Sequence, residues 1–313
     1  MKLKILLTGK NGQVGYDLQQ FLPPLGEVVA LDRQELDLSQ PDQIREVIRR
    51  IQPSVIINAA AYTAVDQSEK EESLAHAINA DAPATMAEEA KKIDAALVHY
   101  STDYVFDGAK SIPYEENDPT NPVNAYGRTK LAGEQAIRSS GVNHLIVRTA
   151  WVYSTRGKNF LLTILRLATQ REELRIVSDQ TGAPTWSREI ALATTQVLQR
   201  IYNPKQNPPA WHNLSGTYHM TAGGETNWCE FTRAILEEAH KHMQAPAEWI
   251  TTATRGTPLI ARQVMPISTA EYPTPARRPA YSVLSNARVE TVFGIQLPDW
   301  QTQLRTVFSN KTT

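Results

Sequence analysis

Lys4-Ile5-Leu6-Leu7-Thr8-Gly9-Lys10-Asn11-Gly12-Gln13-Val14-Gly15 decides the fold: a short apolar run ends in glycines spaced three and three, and a helical pattern follows at once. That context carries more weight than the letters. Gly9 permits a sharp turn, Gly12 lets a pyrophosphate approach the backbone, and Gly15 lets the helix pack tightly on the strand. Free N–H groups at the helix start then face the phosphates.

Outward from this turn, short β-branched runs alternate with longer helical patterns through about residue 150, as βαβ units and a parallel sheet require. The spacing predicts strands over 4–7, 27–31, 55–58, 96–100 and 144–148, and helices over 12–22, 41–51, 73–93 and 125–138. Ser39 is the expected N-cap of the second helix, with Pro41 near its first position. The fold class expected is α/β, a Rossmann-type doubly wound parallel sheet with a smaller C-terminal substrate lobe. The dinucleotide-binding domain is expected over 1–150 and the substrate lobe mainly over 151–313, with segments near 186–222 returning to the first domain. Proline clusters at 204–209 and 258–279 suggest loops. Residues 227–242 read as an amphipathic helix and 216–221 as a short strand able to rejoin the sheet.

Asp32 ends the second strand about 20 residues beyond the glycine turn, where a carboxylate accepts hydrogen bonds from an adenosine ribose. Arg33 follows and suits a ribose 2′-phosphate instead, which leaves NADPH and NADH both open. Asp37 and Leu38 would lie near the adenine. Asn58-Ala59-Ala60-Ala61 ends the third strand with small residues where a cofactor would cross the sheet edge, and Thr63 adds a hydroxyl toward the nicotinamide end.

Tyr126-Gly127-Arg128-Thr129-Lys130 sets a phenol and an ammonium four residues apart, hence on one helix face. A phenol with a reference pKa of about 10 is a poor acid–base group near neutrality, and a neighbouring ammonium is expected to lower it. Lys130 can also bond a ribose hydroxyl. Ser101-Thr102-Asp103 closes the fourth strand, at the sheet edge where ligands of open α/β sheets bind. Thr102 offers a hydroxyl to a substrate oxygen and Asp103 can fix a sugar hydroxyl. The set reads as hydride transfer coupled to protonation by Tyr126.

Composition excludes other classes. Thirty-two basic against thirty-three acidic residues give a net charge of -1, so no general attraction to nucleic acid or anionic lipid is built in. Cys229 is the single cysteine, which rules out an internal disulfide framework and fits a reducing compartment; cytoplasm is the expected location. The apolar start halts at Thr8-Gly9-Lys10, too short for a secretion signal, and no run reaches the about 18 apolar residues of a spanning helix.

These residues resemble the extended short-chain dehydrogenase/reductase superfamily and, more narrowly, the dTDP-4-dehydrorhamnose reductase family. The likeness is carried by 9–15, 58–66, the run His99-Tyr100-Ser101-Thr102-Asp103-Tyr104-Val105-Phe106, 124–134, 148–153, 179–185 and Arg278-Pro279. It implies an enzyme that reduces the 4-keto group of a deoxythymidine-diphosphate sugar with NADPH or NADH. By position it implies Tyr126 as acid, Lys130 as its tuner and cofactor anchor, and Thr102 as supporting hydroxyl. Cofactor contacts fall on Gly9, Asn11, Gly12, Gln13, Val14, Asp32, Asp37, Leu38, Ala61, Tyr62 and Thr63, and sugar contacts on Thr102, Asp103 and Trp151. Arg278 is a candidate for the diphosphate. Some members of the family dimerise through a glutamate-bridged metal; Asp17 and the cation Arg188 stand at those positions, so no metal is expected and the state is monomer or homodimer. The alternatives are a nucleotide-sugar epimerase or dehydratase, although Tyr104 stands where a dehydratase has Glu, and a non-catalytic NADP-binding regulatory subunit.

Overall fold

The structure, a computed structural model, describes residues 3–203 and 211–309. The loop expected at 204–209 and the first two residues of the amino-terminal run lie outside the described residues.

The first half alternates as the pattern requires. β1 (Leu3–Thr8), α1 (Gln13–Phe21), β2 (Gly26–Leu31), α2 (Pro41–Ile51) and β3 (Val55–Asn58) lead through two short helices, α3 (Val65–Ser68) and α4 (Glu72–His76), to α5 (Ala82–Lys92). β4 (Ala96–Thr102), α6 (Ala125–Ser140) and β5 (His144–Thr149) complete the run. The second half holds β6 (Val152–Tyr153), α7 (Phe160–Ala168), β7 (Glu173–Val177), β8 (Thr181–Gly182), β9 (Thr185–Trp186), α8 (Ser187–Ile201), α9 (Trp211–Leu214) and β10 (Gly216–His219). It ends with β11 (Thr226–Asn227), α10 (Trp228–His242), α11 (Glu248–Thr254), β12 (Gln263–Ile267), α12 (Ala287–Phe293) and α13 (Trp300–Ser309).

Six strands form one parallel sheet in the order β10-β5-β4-β3-β1-β2. The chain moves outward from β1 to β2, then crosses back to β3 on the other side of β1. This reversal opens a crevice at the carboxyl ends of β1 and β3. Side chains alternate between faces along each strand. Ile5, Leu7, Ile57, Val98 and Val147 pack with Leu18 of α1 and Ile190 and Val197 of α8. Leu6, Ile56, Leu97 and Ile146 pack on the other face with Ile48, Met86 and Ile137. A separate core gathers Leu161, Ile164, Phe231, Ile235, Trp300 and Leu304 from α7, α10 and α13. The segment after β9 comes back to the sheet, since α8 packs on α1 and β10 pairs with β5.

Three local expectations differ from the structure. Gln40, not Ser39, is the N-cap of α2; the Ser39 hydroxyl donates to Asp37 Oδ1 at 2.8 Å instead. The helix expected over 73–93 is broken by a π-helical turn at Ala77–Asp81, where Gly133 of α6 comes so close that a methyl group there would meet Asn79 O at 2.2 Å. The proline-rich stretch after 258 contains β12, which pairs in parallel with β7.

Candidate active site

Gly9 takes a left-handed φ of 76°, and a Cβ there would lie 2.8 Å from Ala60 N. At Gly15 a Cβ would lie 2.1 Å from Gly9 O, so only glycine allows α1 this close to the turn. Gly12 differs: its Cβ would touch Gly9 O alone, at 3.2 Å, and otherwise points into open space. As N-cap of α1, Gly12 has no side chain to bond the first turn, and among the described residues the N–H groups of Gln13, Val14 and Gly15 have no protein acceptor. A cradle of unpaired donors beside a face kept free of side chains suits a diphosphate.

Around this turn the remaining candidates are ordered. Asn11 Nδ2 donates to Asp32 Oδ2 at 3.0 Å, and the Gln34 N–H donates to Asp32 Oδ1 at 2.9 Å, which aims the carboxylate at the end of β2. Lys10 pairs with Glu35 at 2.5 Å, and Arg33 is exposed. Gln13 accepts from Asn159 Nδ2 at 3.0 Å, joining the turn to α7. Asp37 is half-buried, whereas Leu38 is buried in the core against α2 and α5, so its side chain is committed to packing. Ala61 and Tyr62 are half-buried and Thr63 is exposed. Asn79 of the π turn accepts from Tyr62 N at 2.9 Å and donates to Tyr62 O at 3.1 Å and to Thr129 Oγ1 at 3.2 Å, tying this loop to α6.

Tyr126 and Lys130 project from α6, whose start is fixed by Asn124 accepting from Gly127 N at 2.8 Å. Gly127 is obligatory because a Cβ there would reach Tyr104 O at 2.2 Å. The four-residue spacing leads to the expectation that Lys130 lowers the phenol's pKa; in the structure its Nζ turns to β4 instead. Burial raises the Tyr126 phenol well above its ordinary value, the charge of Asp103 adds to the rise, and only the Thr102 hydroxyl opposes it. Lys130, 1% exposed, turns its Nζ to Tyr100 O at 2.6 Å and His99 Nε2 at 3.0 Å. Burial brings Lys130 down to about 7, against the pull of Glu134. The physical reason is shared: both groups leave water on entering the sheet–helix interface, and desolvation penalises whichever form is charged.

Thr102 Oγ1 donates to Asp103 Oδ1 at 2.9 Å and accepts from Tyr104 N at 3.1 Å, so its proton is held by Asp103 until the hydroxyl rotates. Burial pushes Asp103 up to about 6, with the Ser282 and Thr102 hydroxyls acting the other way. Tyr104 meets Tyr126 edge to face, ring centroids 5.7 Å apart. Trp151 has a left-handed φ of 47°, rare for an aromatic residue, and stacks on Trp228 at 3.4 Å with the rings nearly parallel. Trp228 escaped the sequence reading; its only signal is an aromatic following the N-cap Asn227. Arg278 forks onto Asp66 at 3.0 and 2.9 Å through Nη1 and Nη2. Asp17 accepts from Ser187 at 2.5 Å, and Arg188 lies over the Phe21 ring.

The structure therefore gathers Thr102, Asp103, Tyr104 and Tyr126 at the end of β4, with the glycine turn two strands away. The Leu38 side chain packs in the core and Arg278 faces Asp66. The RmlD substrate binding domain matches residues 2–313. The dTDP-4-dehydrorhamnose reductase of Burkholderia thailandensis is 48% identical, covering 96% of each chain, and that of Escherichia coli is 40% identical, covering 99% of each. Among solved structures, the dTDP-4-dehydrorhamnose reductase of Bacillus anthracis in complex with NADP superposes with a TM-score of 0.85 at 34% identity, over 99% of both chains. Matched over nearly its whole length by sequence and by fold, the chain belongs to the dTDP-4-dehydrorhamnose reductase family.

Proposed function

We propose that the chain reduces the 4-keto group of dTDP-4-dehydro-β-L-rhamnose to give dTDP-L-rhamnose, with NADPH or NADH as hydride source and Tyr126 as proton donor. The residues fit the cofactor: the glycine turn offers unpaired N–H donors at an open face, and Asp32 is oriented toward the end of β2. Bound there, the dinucleotide supplies the hydride. Asp32 would hold its adenosine ribose, and Lys130 would offer its Nζ to the other ribose.

The gathering of Tyr126 with Thr102, Asp103 and Tyr104 at the end of β4, two strands from the glycine turn, carries the reading. A phenol that holds its proton firmly in neutral solution gives it up only to a stronger base, and an alkoxide formed at the sugar C4 is such a base. Thr102 then turns its hydroxyl from Asp103 toward the same oxygen. Trp151 and Trp228 form an apolar wall for the sugar nucleotide.

The reading places a nucleotide-sugar enzyme in the cytoplasm, as monomer or homodimer, without nucleic-acid or membrane partners; among the described residues no helix is long and apolar enough to cross a membrane. The test follows NADPH absorbance with the keto sugar as substrate. Tyr126→Phe is expected to lower kcat by about 10²- to 10⁴-fold while NADPH binding stays near that of the unaltered protein. Unchanged turnover rejects the assignment.

A further inference from the structure

Thr8, Asn58 and His99 stand side by side on β1, β3 and β4, since the register pairs Thr8 with Asn58 and Asn58 with His99. All three are buried, and their side chains form a chain of hydrogen bonds. Thr8 Oγ1 donates to Asn58 Oδ1 at 2.7 Å, and the Ala60 backbone N–H, which can only donate, bonds the same oxygen at 3.3 Å. The amide of Asn58 is thereby oriented: Oδ1 faces two donors, and Nδ2 faces His99 Nδ1 at 3.1 Å. Nδ2 has only hydrogens to offer, so His99 Nδ1 accepts. A ring whose Nδ1 accepts is neutral and carries its hydrogen on Nε2. That Nε2–H points at Lys130 Nζ, 3.0 Å away.

An ammonium nitrogen has no lone pair to receive it; an amine does, and can still donate to Tyr100 O. From these contacts we infer that His99 is a positioning residue that holds Lys130 uncharged in the cofactor-free protein, and that dinucleotide binding makes Lys130 take up one proton from solvent.

The surrounding charges agree. On α6, Tyr126 lies one turn before Lys130 and keeps its proton, while Glu134 lies one turn after it. Glu134 is fully buried, but it already accepts from Arg148 of β5 at 2.9 and 2.7 Å, from Arg138 at 2.9 Å and from Ser101 of β4 at 2.6 Å. With two guanidinium groups already on this carboxylate, its pull on Lys130 is outweighed by burial. β3 contributes only the uncharged Asn58. Burial alone already holds His99 well below its ordinary range, so its ring stays neutral beside an uncharged amine. An incoming dinucleotide reverses the balance, because its diphosphate is negative and its ribose oxygens accept N–H bonds, both favouring the ammonium. This second step rests on the cofactor reading above; the state of the lysine does not.

Long-range proton–nitrogen spectra of the cofactor-free protein, labelled with ¹⁵N in its seven histidines, test the first step. The His99 signal is identified by its loss in His99→Gln. A neutral Nε2–H ring throughout the neutral range is expected; a Nδ1–H ring or an imidazolium overturns the inference. Calorimetric titration with NADH, which lacks the ribose phosphate, at mildly alkaline pH in phosphate and in Tris tests the second. Proton uptake approaching one per NADH bound is expected from the buffer dependence, and it is expected to fall by at least half in His99→Phe, where the amine loses its donor. Uptake unchanged in that variant, or no buffer dependence in the unaltered protein, overturns the coupling. Absence of heat in both buffers together with absence of NADH fluorescence change would fail the cofactor reading and the coupling together, while the spectra still decide the His99 tautomer on which the uncharged Lys130 rests.

Discussion

Replacing Gly12 and Gly15 separately by alanine splits binding from stability. At Gly15 the new methyl would sit 2.1 Å from Gly9 O and 2.8 Å from Gly9 C, both backbone, so α1 and the turn must separate by more than an ångström. Overpacking of this kind costs about 1–3 kcal/mol, and the displaced turn also disturbs Gly9, whose own φ of 76° no alanine would relieve. At Gly12 the methyl meets a single oxygen at 3.2 Å with φ -73° and ψ 169°, a conformation open to any residue. Loss of a favoured N-cap glycine costs about 0.5–1.5 kcal/mol, and reduced freedom of the unfolded chain returns about 0.4–1 kcal/mol, so stability should change by less than about 1 kcal/mol. The methyl nonetheless occupies the face the diphosphate would approach. NADPH affinity should fall by at least about tenfold, or about 1.4 kcal/mol. Urea unfolding and fluorescence titration with NADPH measure the two quantities. Gly12→Ala binding NADPH as tightly as the unaltered protein would refute the placement of the diphosphate, and Gly15→Ala unfolding at an unchanged midpoint would refute the close-packing argument.

Other expectations follow from buried charge and from the aromatic wall. Arg148→Met leaves the fully buried Glu134 with Arg138 as its remaining cation, and should cost about 3–5 kcal/mol in urea unfolding; a midpoint equal to the parent's would show the pair to be dispensable. Asp103 is raised from 3.8 to about 6 by burial, so the folded state binds its proton more tightly than the unfolded chain. That group opposes folding above pH 6 and ceases to do so as pH falls to 4, a difference of about 3 kcal/mol. Asp103→Asn should therefore gain on the parent by about that amount at pH 7 relative to pH 4, and a pH-independent offset between the two would contradict the assignment. Trp228→Ala removes the partner stacked on Trp151 and should raise KM for the sugar nucleotide severalfold with NADPH binding intact; parallel loss of both would mean that the stack serves the fold at large.

The fold was legible because its signals are local. Apolar runs of strand length, the glycine spacing and Pro41 at a helix start act within a few residues, and each element they mark is present. The π turn at Ala77–Asp81 was not legible, since what packs against it is Gly133 on another helix more than fifty residues away. The same distinction separates the site residues. Four-residue spacing put Tyr126 and Lys130 on one face of α6, but the state of each depends on what the sheet presents to it. Lys130 meets a histidine and a carbonyl from β4 in place of the phenol, and the phenol meets Asp103. In the sequence Arg278 offers its guanidinium to any anion; the structure sets Asp66, far earlier in the chain, against it.

Why the polar chemistry collects at this edge follows from strand register. Thr8 and Asn58 are the last residues of β1 and β3, and His99 pairs with Asn58 inside β4, which runs on for three residues. One step earlier along the same face, Leu6, Ile56 and Leu97 are entirely apolar. The transition from core to polar row thus occurs at one level across three strands, and the longer β4 carries Ser101, Thr102 and the adjoining Asp103 beyond it. A one-residue slip of β3 against β4 would turn Asn58 to the opposite face and bring Ile57 to His99, leaving the imidazole without the donor that orients it. The alignment that closes the hydrophobic core is therefore the same one that fixes the histidine's hydrogen, and with it the charge on Lys130.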